Sequence, residues 1–266
     1  MKEYLEFAIE IARKAGEIME KYFYEEGESH YKEDETIVTK ADTEINSYLI
    51  EKVKEKYPSH SVDGEEEKFG SSNYVWVCDP VDGTAMYARH IPVAVFSLAL
   101  VIDGESKIGV VYDPFTKNMY TAIKGEGAFV NGNKISVNDL KLDDIKGVSH
   151  FDMWKKSGYD LTPMVEELSD KTFLVSLGSA IRGCMGVATG DFTASFFPGG
   201  INKNCDIAAA KVIVEEAGGM VTDLFGKEQR YDMTINGAII SNAKVHNELI
   251  ELTKKYLTNM DYQKMI

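Results

Sequence analysis

Cysteine is scarce in this chain, and none of it is spaced for chemistry. Cys78, Cys184 and Cys205 are the only three in 266 residues. They lie far apart with no C-x-x-C pairing, which excludes a zinc-knuckle or dithiol redox site and predicts three reduced, buried thiols. Long apolar runs are missing as well. The longest, 91–102, holds about a dozen residues against the roughly 20 that cross a bilayer. The N-terminus has no signal-peptide core, so a cytoplasmic protein with no membrane partner is expected. Positive charge is also short. The balance of 29 basic to 43 acidic residues, net −14, with no Lys/Arg-rich run to offset it, repels nucleic-acid phosphates and anionic membranes and excludes nucleic acid as a partner. Internal repeats and low-complexity linkers are absent too. What remains is a chain long enough to bury a large core, as one domain or as two joined halves.

Periodicity supplies the elements. Leu5, Ala8, Ile9, Ala12, Ala15 and Met19 recur at helical spacing, with Gly27 as a stop. The polar stretch 28–36 reads as a loop, and a second helix runs through Ile45, Tyr48, Leu49 and Val53 to end near Pro58. Val75 to Cys78 reads as a short buried strand with Asp79 and Asp82 at its C-terminal tip. Segments 93–102, 108–112, 119–123 and 128–130, punctuated by Asp103-Gly104 and Asn131-Gly132, predict an antiparallel meander. Beyond about residue 140 the signals alternate. Strands are predicted near Val148 and at 173–175, 193–197, 220–223 and 238–241, and helices near 163–168 and at 179–188, 206–217 and 243–256. The chain 1–266 therefore reads as one domain of two intimately joined halves, about 1–140 with helices plus antiparallel sheet and 141–266 with layered α/β structure.

Three acidic segments carry the chemistry. Asp79-Pro80-Val81-Asp82-Gly83-Thr84 combines two carboxylates, a hydroxyl and backbone N–H groups. That set suits a hard divalent ion beside a phosphate, although Asp82-Gly83 could equally be a turn after a buried strand. Gly64-Glu65-Glu66-Glu67 is either a solvated turn or a second source of ligands. Asp206, in Cys205-Asp206-Ile207-Ala208-Ala209-Ala210, is either a helix N-cap or a ligand. His60, His90, His150, Trp76 and Trp154 have no partner at ligand spacing and are expected to pack.

Taken together and in this order, the three segments resemble the inositol monophosphatase family of Mg²⁺-dependent, lithium-sensitive phosphatases, whose superfamily includes fructose-1,6-bisphosphatase. The likeness covers nearly the whole chain. It takes in Val38-Thr39 with Asp42, Tyr57-Pro58-Ser59-His60, the 125–132 stretch, Gly178-Ser179-Ala180 and Glu216-Ala217-Gly218-Gly219. It implies a layered α/β fold, the αβαβα five-layer sandwich of the sugar phosphatases, and a homodimer. It also implies a Mg²⁺-dependent phosphomonoesterase that hydrolyses a small sugar or polyol phosphate by two-metal activation of water.

Carried over by residue, the resemblance places one of two or three Mg²⁺ per subunit on Glu65, Asp79 and the Val81 carbonyl. A second falls on Asp79, Asp82 and Asp206. Thr84, hydrogen-bonded to Asp42, and Glu65 would position the attacking water. The N–H groups of Gly83 and Thr84 would cradle the phosphate. Val81, Asp82, Gly178, Ser179, Ala180, Lys203 and Asp206 would complete the substrate site. Lys32, in an acidic loop, would screen phosphate charge or tune a third metal, an ordinary solvated lysine being the alternative.

Departures from the pattern bear on substrate. Cys205 stands where many members carry Trp, and Met86 where many carry Asn. The stretch 195–204 holds no carboxylate where inositol-specific members carry Glu. Asn202, Lys203 and Asn204 could read a different sugar phosphate, so fructose-1,6-bisphosphatase and histidinol-phosphatase activities stay open. Nucleotide 3′-phosphates are least favoured because the long insertions of those relatives are missing. A catalytically silent protein that binds phosphate or Mg²⁺ is the reading from a different class. If Lys203 contacts a distal phosphate, Lys203→Ala should depress bisphosphate turnover more than monophosphate turnover. Equal depression in a steady-state comparison refutes that role.

Overall fold

The computed structural model describes residues 1–25, 30–31, 37–152, 159–198 and 204–257. Gly27, Lys32, Trp154, Asn202 and Lys203 lie outside them. The chain opens with α1 (Lys2–Phe23), β1 (His30–Tyr31), β2 (Ile37–Val38) and α2 (Lys40–Lys56). It continues through β3 (Ser61–Gly64), β4 (Lys68–Phe69), β5 (Tyr74–Asp82), α3 (Thr84–Tyr87) and the meander β6 (Val95–Ile102), β7 (Glu105–Asp113), β8 (Asn118–Ile123), β9 (Gly127–Val130) and β10 (Asn133–Lys134). The second half holds β11 (Val148–Phe151), α4 (Thr162–Lys171), β12 (Phe173–Val175), α5 (Ala180–Ala188), β13 (Ala194–Phe197), α6 (Cys205–Glu216), β14 (Met220–Thr222), β15 (Ala238–Ser241) and α7 (His246–Tyr256).

Beside the two-stranded β1-β2 pair, the described residues form two larger sheets, an eight-stranded one in the order β10-β9-β8-β7-β6-β5-β3-β4 and a five-stranded one in the order β12-β11-β13-β15-β14. The apolar stripe of α1, from Phe7 through Ile11 and Ala15 to Met19, packs with Ile45, Leu49 and Val53 of α2 on one face of the large sheet. The opposite face of that sheet packs against α5 and α6, which also cover the inner face of the small sheet. The outer face of the small sheet is closed by α4 and α7 through Leu168, Phe196, Ile239 and Leu249. The layers therefore run αβαβα, as the resemblance implies. Among the described residues no helix is long and apolar enough to cross a membrane. All three cysteines are free and buried.

The structure departs from the sequence reading at β5. The expected strand ends at Cys78, with the acidic motif beyond its tip, yet pairing with β6 continues through Asp82. Asp79 pairs with Ser97 and Asp82 with Val95, so three steps on β5 match two on β6. Such a bulge accommodates Pro80, which has no N–H for the ladder. A smaller departure is that α7 begins at His246 rather than at 243. Ala243 adopts φ 67, a left-handed conformation that cannot enter a right-handed helix. The region read as a loop before α2 contains the short β1–β2 pair. His60, stacked on Tyr57 and accepting from the Trp76 indole at 3.2 Å, packs as expected, and so does His150 in the core.

Helix α6 lies against β7 with no room between them. A methyl group added at Gly109 would sit 2.5 Å from the Ala209 carbonyl oxygen and 2.7 Å from Cγ1 of Val212. Small residues at 208–210 allow this approach, which sets the position of Asp206 at the start of the same helix. Gly109→Ala is expected to cost about 1–3 kcal/mol through overpacking and to weaken divalent-cation binding by displacing Asp206. Denaturant unfolding with and without Mg²⁺ checks both effects. An unchanged midpoint would show that the contact is not tight.

Candidate active site

Strands β3 and β5 run parallel with Gly64 opposite Cys78, so the next residues, Glu65 just beyond the end of β3 and Asp79 still paired within β5, lie side by side. The Glu65 N–H donates to the Cys78 carbonyl at 3.1 Å, extending the ladder by one step. Asn46 of α2 holds the acidic turn from below. Its Oδ1 accepts from the N–H groups of Glu66 and Glu67 at 3.3 and 3.4 Å, and its Nδ2 donates to the Glu67 carbonyl at 3.0 Å. Gly64 is required here because a Cβ would fall 2.1 Å from that Asn46 oxygen. Glu65 is thus half-buried in a braced turn, not in a freely solvated one.

The bulge in β5 then acts on Asp79 and Asp82. Side chains alternate faces along a regular strand, so positions 79 and 82 would point oppositely. The extra residue between them cancels one alternation and leaves both carboxylates on the same side. Asp82 meets the N-terminus of α5. It accepts from Ile181 N–H at 2.9 Å, from Ala180 N–H at 3.3 Å and from the Ser179 hydroxyl. The Ser179 oxygen accepts in turn from Arg182 N–H at 3.1 Å, capping α5. Asp206 arrives from the first turn of α6. It is not the cap, as the simplest sequence reading has it, because Asn204 occupies that position.

These elements bring together every carboxylate assigned to metal. Glu65, Asp79 and Cys205 offer ligand atoms within 4.8 Å of one another, and so do Asp79, Asp82 and Asp206. Asp79 belongs to both groups. The Val81 carbonyl, the remaining expected ligand, accepts from the Thr84 hydroxyl at 2.7 Å, and an amide oxygen keeps a second lone pair for a cation. Burial, then Asp206, pushes the Asp82 carboxyl up to about 8. Burial likewise raises Asp42 to about 7. Among the described residues no basic group is a main influence on either, so a divalent cation would favour their ionised forms. A donor set of carboxylates plus a carbonyl fits a hard ion such as Mg²⁺.

Asp42 is fixed at the start of α2, where its Oδ2 accepts from Thr39 N–H at 2.8 Å and from the Thr39 hydroxyl at 2.5 Å. Its Oδ1 lies 3.3 Å from the Thr84 oxygen, the pairing that the resemblance implies. Gly83, at φ 88, turns the chain into α3. A Cβ there would come within 3.1 Å of the Gly178 carbonyl oxygen, so 178 and 83 pack backbone to backbone. Ser179 and Ala180, expected beside substrate, are engaged with Asp82. One reading is corrected. Asn204 does not reach out to a sugar, because its Nδ2 donates to Asp63 at 2.9 Å and to the Tyr231 carbonyl at 3.0 Å, tying the start of α6 to β3. Sequence reasoning missed Asn46 and the Ile181 N–H. Asn46 stands four residues after Asp42 on the same face of α2, a spacing that could have flagged it. Ile181 contributes only backbone and left no signal.

Known proteins resemble this chain over nearly its whole length. A model of the inositol monophosphatase family matches residues 1–258. Inositol monophosphatase 1 of Homo sapiens is 32% identical over 263 residues, covering 94% of this chain and 93% of that protein. The fructose-1,6-bisphosphatase/inositol-1-monophosphatase of Thermotoga maritima is 31% identical over 259 residues, covering 94% and 96%. Among solved structures, a Thermotoga maritima IMPase superposes with a TM-score of 0.86 at 29% identity, covering 96% of this chain and 98% of that one.

Without metal, the folded chain holds a proton on Asp82 up to about pH 8, whereas the unfolded chain releases it near 3.8. The stability this adds is full below the lower value and is lost as pH rises through the higher one. In chelator, the wild-type Tm is therefore expected to fall between about pH 5 and about pH 8. Asp82→Asn should fall less and should lose most of the Mg²⁺-induced rise in Tm. Equal Mg²⁺ stabilisation of both proteins would remove Asp82 from the metal site.

Proposed function

The chain belongs to the inositol monophosphatase family and is a phosphoric monoester hydrolase acting on inositol phosphate or similar substrates. From that premise we propose that it hydrolyses a small sugar or polyol phosphate by two-metal activation of water. The observation that carries this reading is the place of Asp79 in two converging acidic groups, which is what two neighbouring cations with a common ligand require. Glu65, Asp79 and the Val81 carbonyl would hold one Mg²⁺, and Asp79, Asp82 and Asp206 the other. Bound there, Mg²⁺ neutralises phosphate charge, lowers the pKa of water and stabilises the departing oxygen.

The chain's own residues handle the proton and the orientation. Thr84 has a single hydroxyl proton and two acceptors in reach, the Val81 carbonyl at 2.7 Å and Asp42 at 3.3 Å. When Asp42 is ionised, Thr84 can turn its proton to Asp42 and accept from the attacking water. When Asp42 is protonated, it donates to Thr84, whose own proton returns to Val81. A carboxyl raised to about 7 exchanges a proton readily at neutral pH, as a general base must. Glu65 aligns the same water from the end of the neighbouring parallel strand. Gly83 and Thr84 direct their N–H groups to the phosphate, and Gly178, Ser179 and Ala180 fix Asp82 and the wall beside it.

The reading treats the chain as one domain, because α6 from the second half packs on the large sheet of the first. Two or three Mg²⁺ per subunit, a homodimer and a cytoplasmic setting accompany it on family likeness alone. Fructose 1,6-bisphosphate is the second substrate to weigh, supported by the name of the Thermotoga maritima relative. The test is phosphate release from inositol, fructose, histidinol and nucleotide phosphates with and without Mg²⁺. Release should require Mg²⁺ and fall by about 100-fold or more in both Asp82→Asn and Thr84→Val. Turnover without metal, or undiminished in Asp82→Asn, overturns the two-metal reading.

A further inference from the structure

Among the described residues, one cysteine sulfur joins the candidate carboxylate oxygens of this site. Cys205 opens α6 one residue before Asp206 and is 3% exposed. Successive residues of one helix start thus serve two different groups, Asp206 the one with Asp82 and Cys205 the one with Glu65. The Cys205 thiol also donates to Oδ1 of Asp206 at 3.5 Å. Cys78 and Cys184 are buried in apolar clusters as Cys205 is, but belong to neither group among the described residues.

The chemistry of the two donor sets then differs. Carboxylate oxygens alone favour hard ions, whereas a thiolate selects Zn²⁺ and other soft divalent ions and gives Mg²⁺ nothing. Ligand atoms about 2.0–2.3 Å from one ion lie at most about 4.5 Å apart, so sulfur and oxygens within 4.8 Å need only a small side-chain adjustment to share one. We propose that Cys205 makes the Glu65–Asp79 position a mixed oxygen–sulfur site that takes a thiophilic divalent cation, Cd²⁺ or Zn²⁺, through the Cys205 sulfur in competition with Mg²⁺. Coordination forms the sulfur–metal bond and releases the thiol proton to solvent. The inference rests on the two-metal reading of that position and adds to it a ligand and a metal preference.

The full chain, stripped of metal, is titrated with Cd²⁺ while thiolate-to-metal charge-transfer absorption and binding heat are recorded. The expected result is a saturable ultraviolet band that Mg²⁺ suppresses competitively, that persists in Cys184→Ala and that disappears in Cys205→Ser. Cd²⁺ affinity should fall by about tenfold or more in that variant, and Mg²⁺ affinity far less. Cys205→Ala, with folding checked by circular dichroism, serves if the serine variant does not fold. A band that survives both substitutions, or Cd²⁺ that competes with Mg²⁺ and gives no band, overturns the proposal. Mg²⁺ binding heat lost in Glu65→Gln separates the two levels. If that loss is seen and no band appears, the sulfur assignment alone fails. If the wild type takes up no Mg²⁺, the two-metal reading fails and the sulfur assignment goes with it.

Discussion

Four carboxylates crowded into one partly buried space set the terms for the rest of this molecule. Burial resists the ionisation of such groups, and like charges close by add to the resistance, as the upward displacement of Asp82 illustrates. A chain that holds them there must therefore brace each one separately. Glu65 is held by a parallel-strand step and by Asn46 beneath its turn. Asp82 is held by the N–H groups at the head of α5, where the helix dipole favours negative charge. Asp206 rides on a helix wedged between two sheets, its start tied down by Asn204. The arrangement is suited to cations, and on the proposed reading metal binding would be coupled to stability.

The layered architecture makes that bracing possible. In a five-layer sandwich the middle helices have no free face, so α5 and α6 are positioned by sheets on both sides. Contacts such as Gly109 against Ala209 leave little play. A site built from helix starts and strand ends inherits this rigidity, which suits chemistry that depends on holding phosphate, water and two cations in line. The more adaptable element is Thr84, whose hydroxyl can alternate between two acceptors without backbone movement. Rigid ligands around one mobile proton are the division of labour expected of a hydrolase. The sulfur of Cys205 adds a chemically distinct donor to that frame, in a group whose other candidate ligand atoms are carboxylate oxygens.

Much of the fold and site was legible in the sequence. Amphipathic periodicity reported α1 and α2 because their apolar stripes face a sheet, and turn residues reported the meander because Asp103-Gly104 and Asn131-Gly132 need left-handed backbone. The carboxylates proposed to hold metal were legible as motifs, since each stands beside further acid, glycine or a helix start. The continuation of β5 through Pro80 was not legible, because proline normally ends a strand reading and only pairing with β6 reveals the bulge. The true role of Asn204 was hidden for a similar reason, its partners lying 141 and 27 residues away.

Residue types and their local order thus determined, without any coordinates, which groups could bind metal and which chemistry they could support. Ligand hardness, backbone freedom at glycine and helix periodicity are properties of short segments. Only the tertiary structure decided which carboxylates meet, that Asp79 is common to two groups, that Asp79 and Asp82 face the same way and that Cys205 joins Glu65. Those outcomes depend on strand register, on one extra residue in a bulge and on how closely a helix can approach a sheet. Each is set by packing between segments far apart in the chain, which no local pattern encodes.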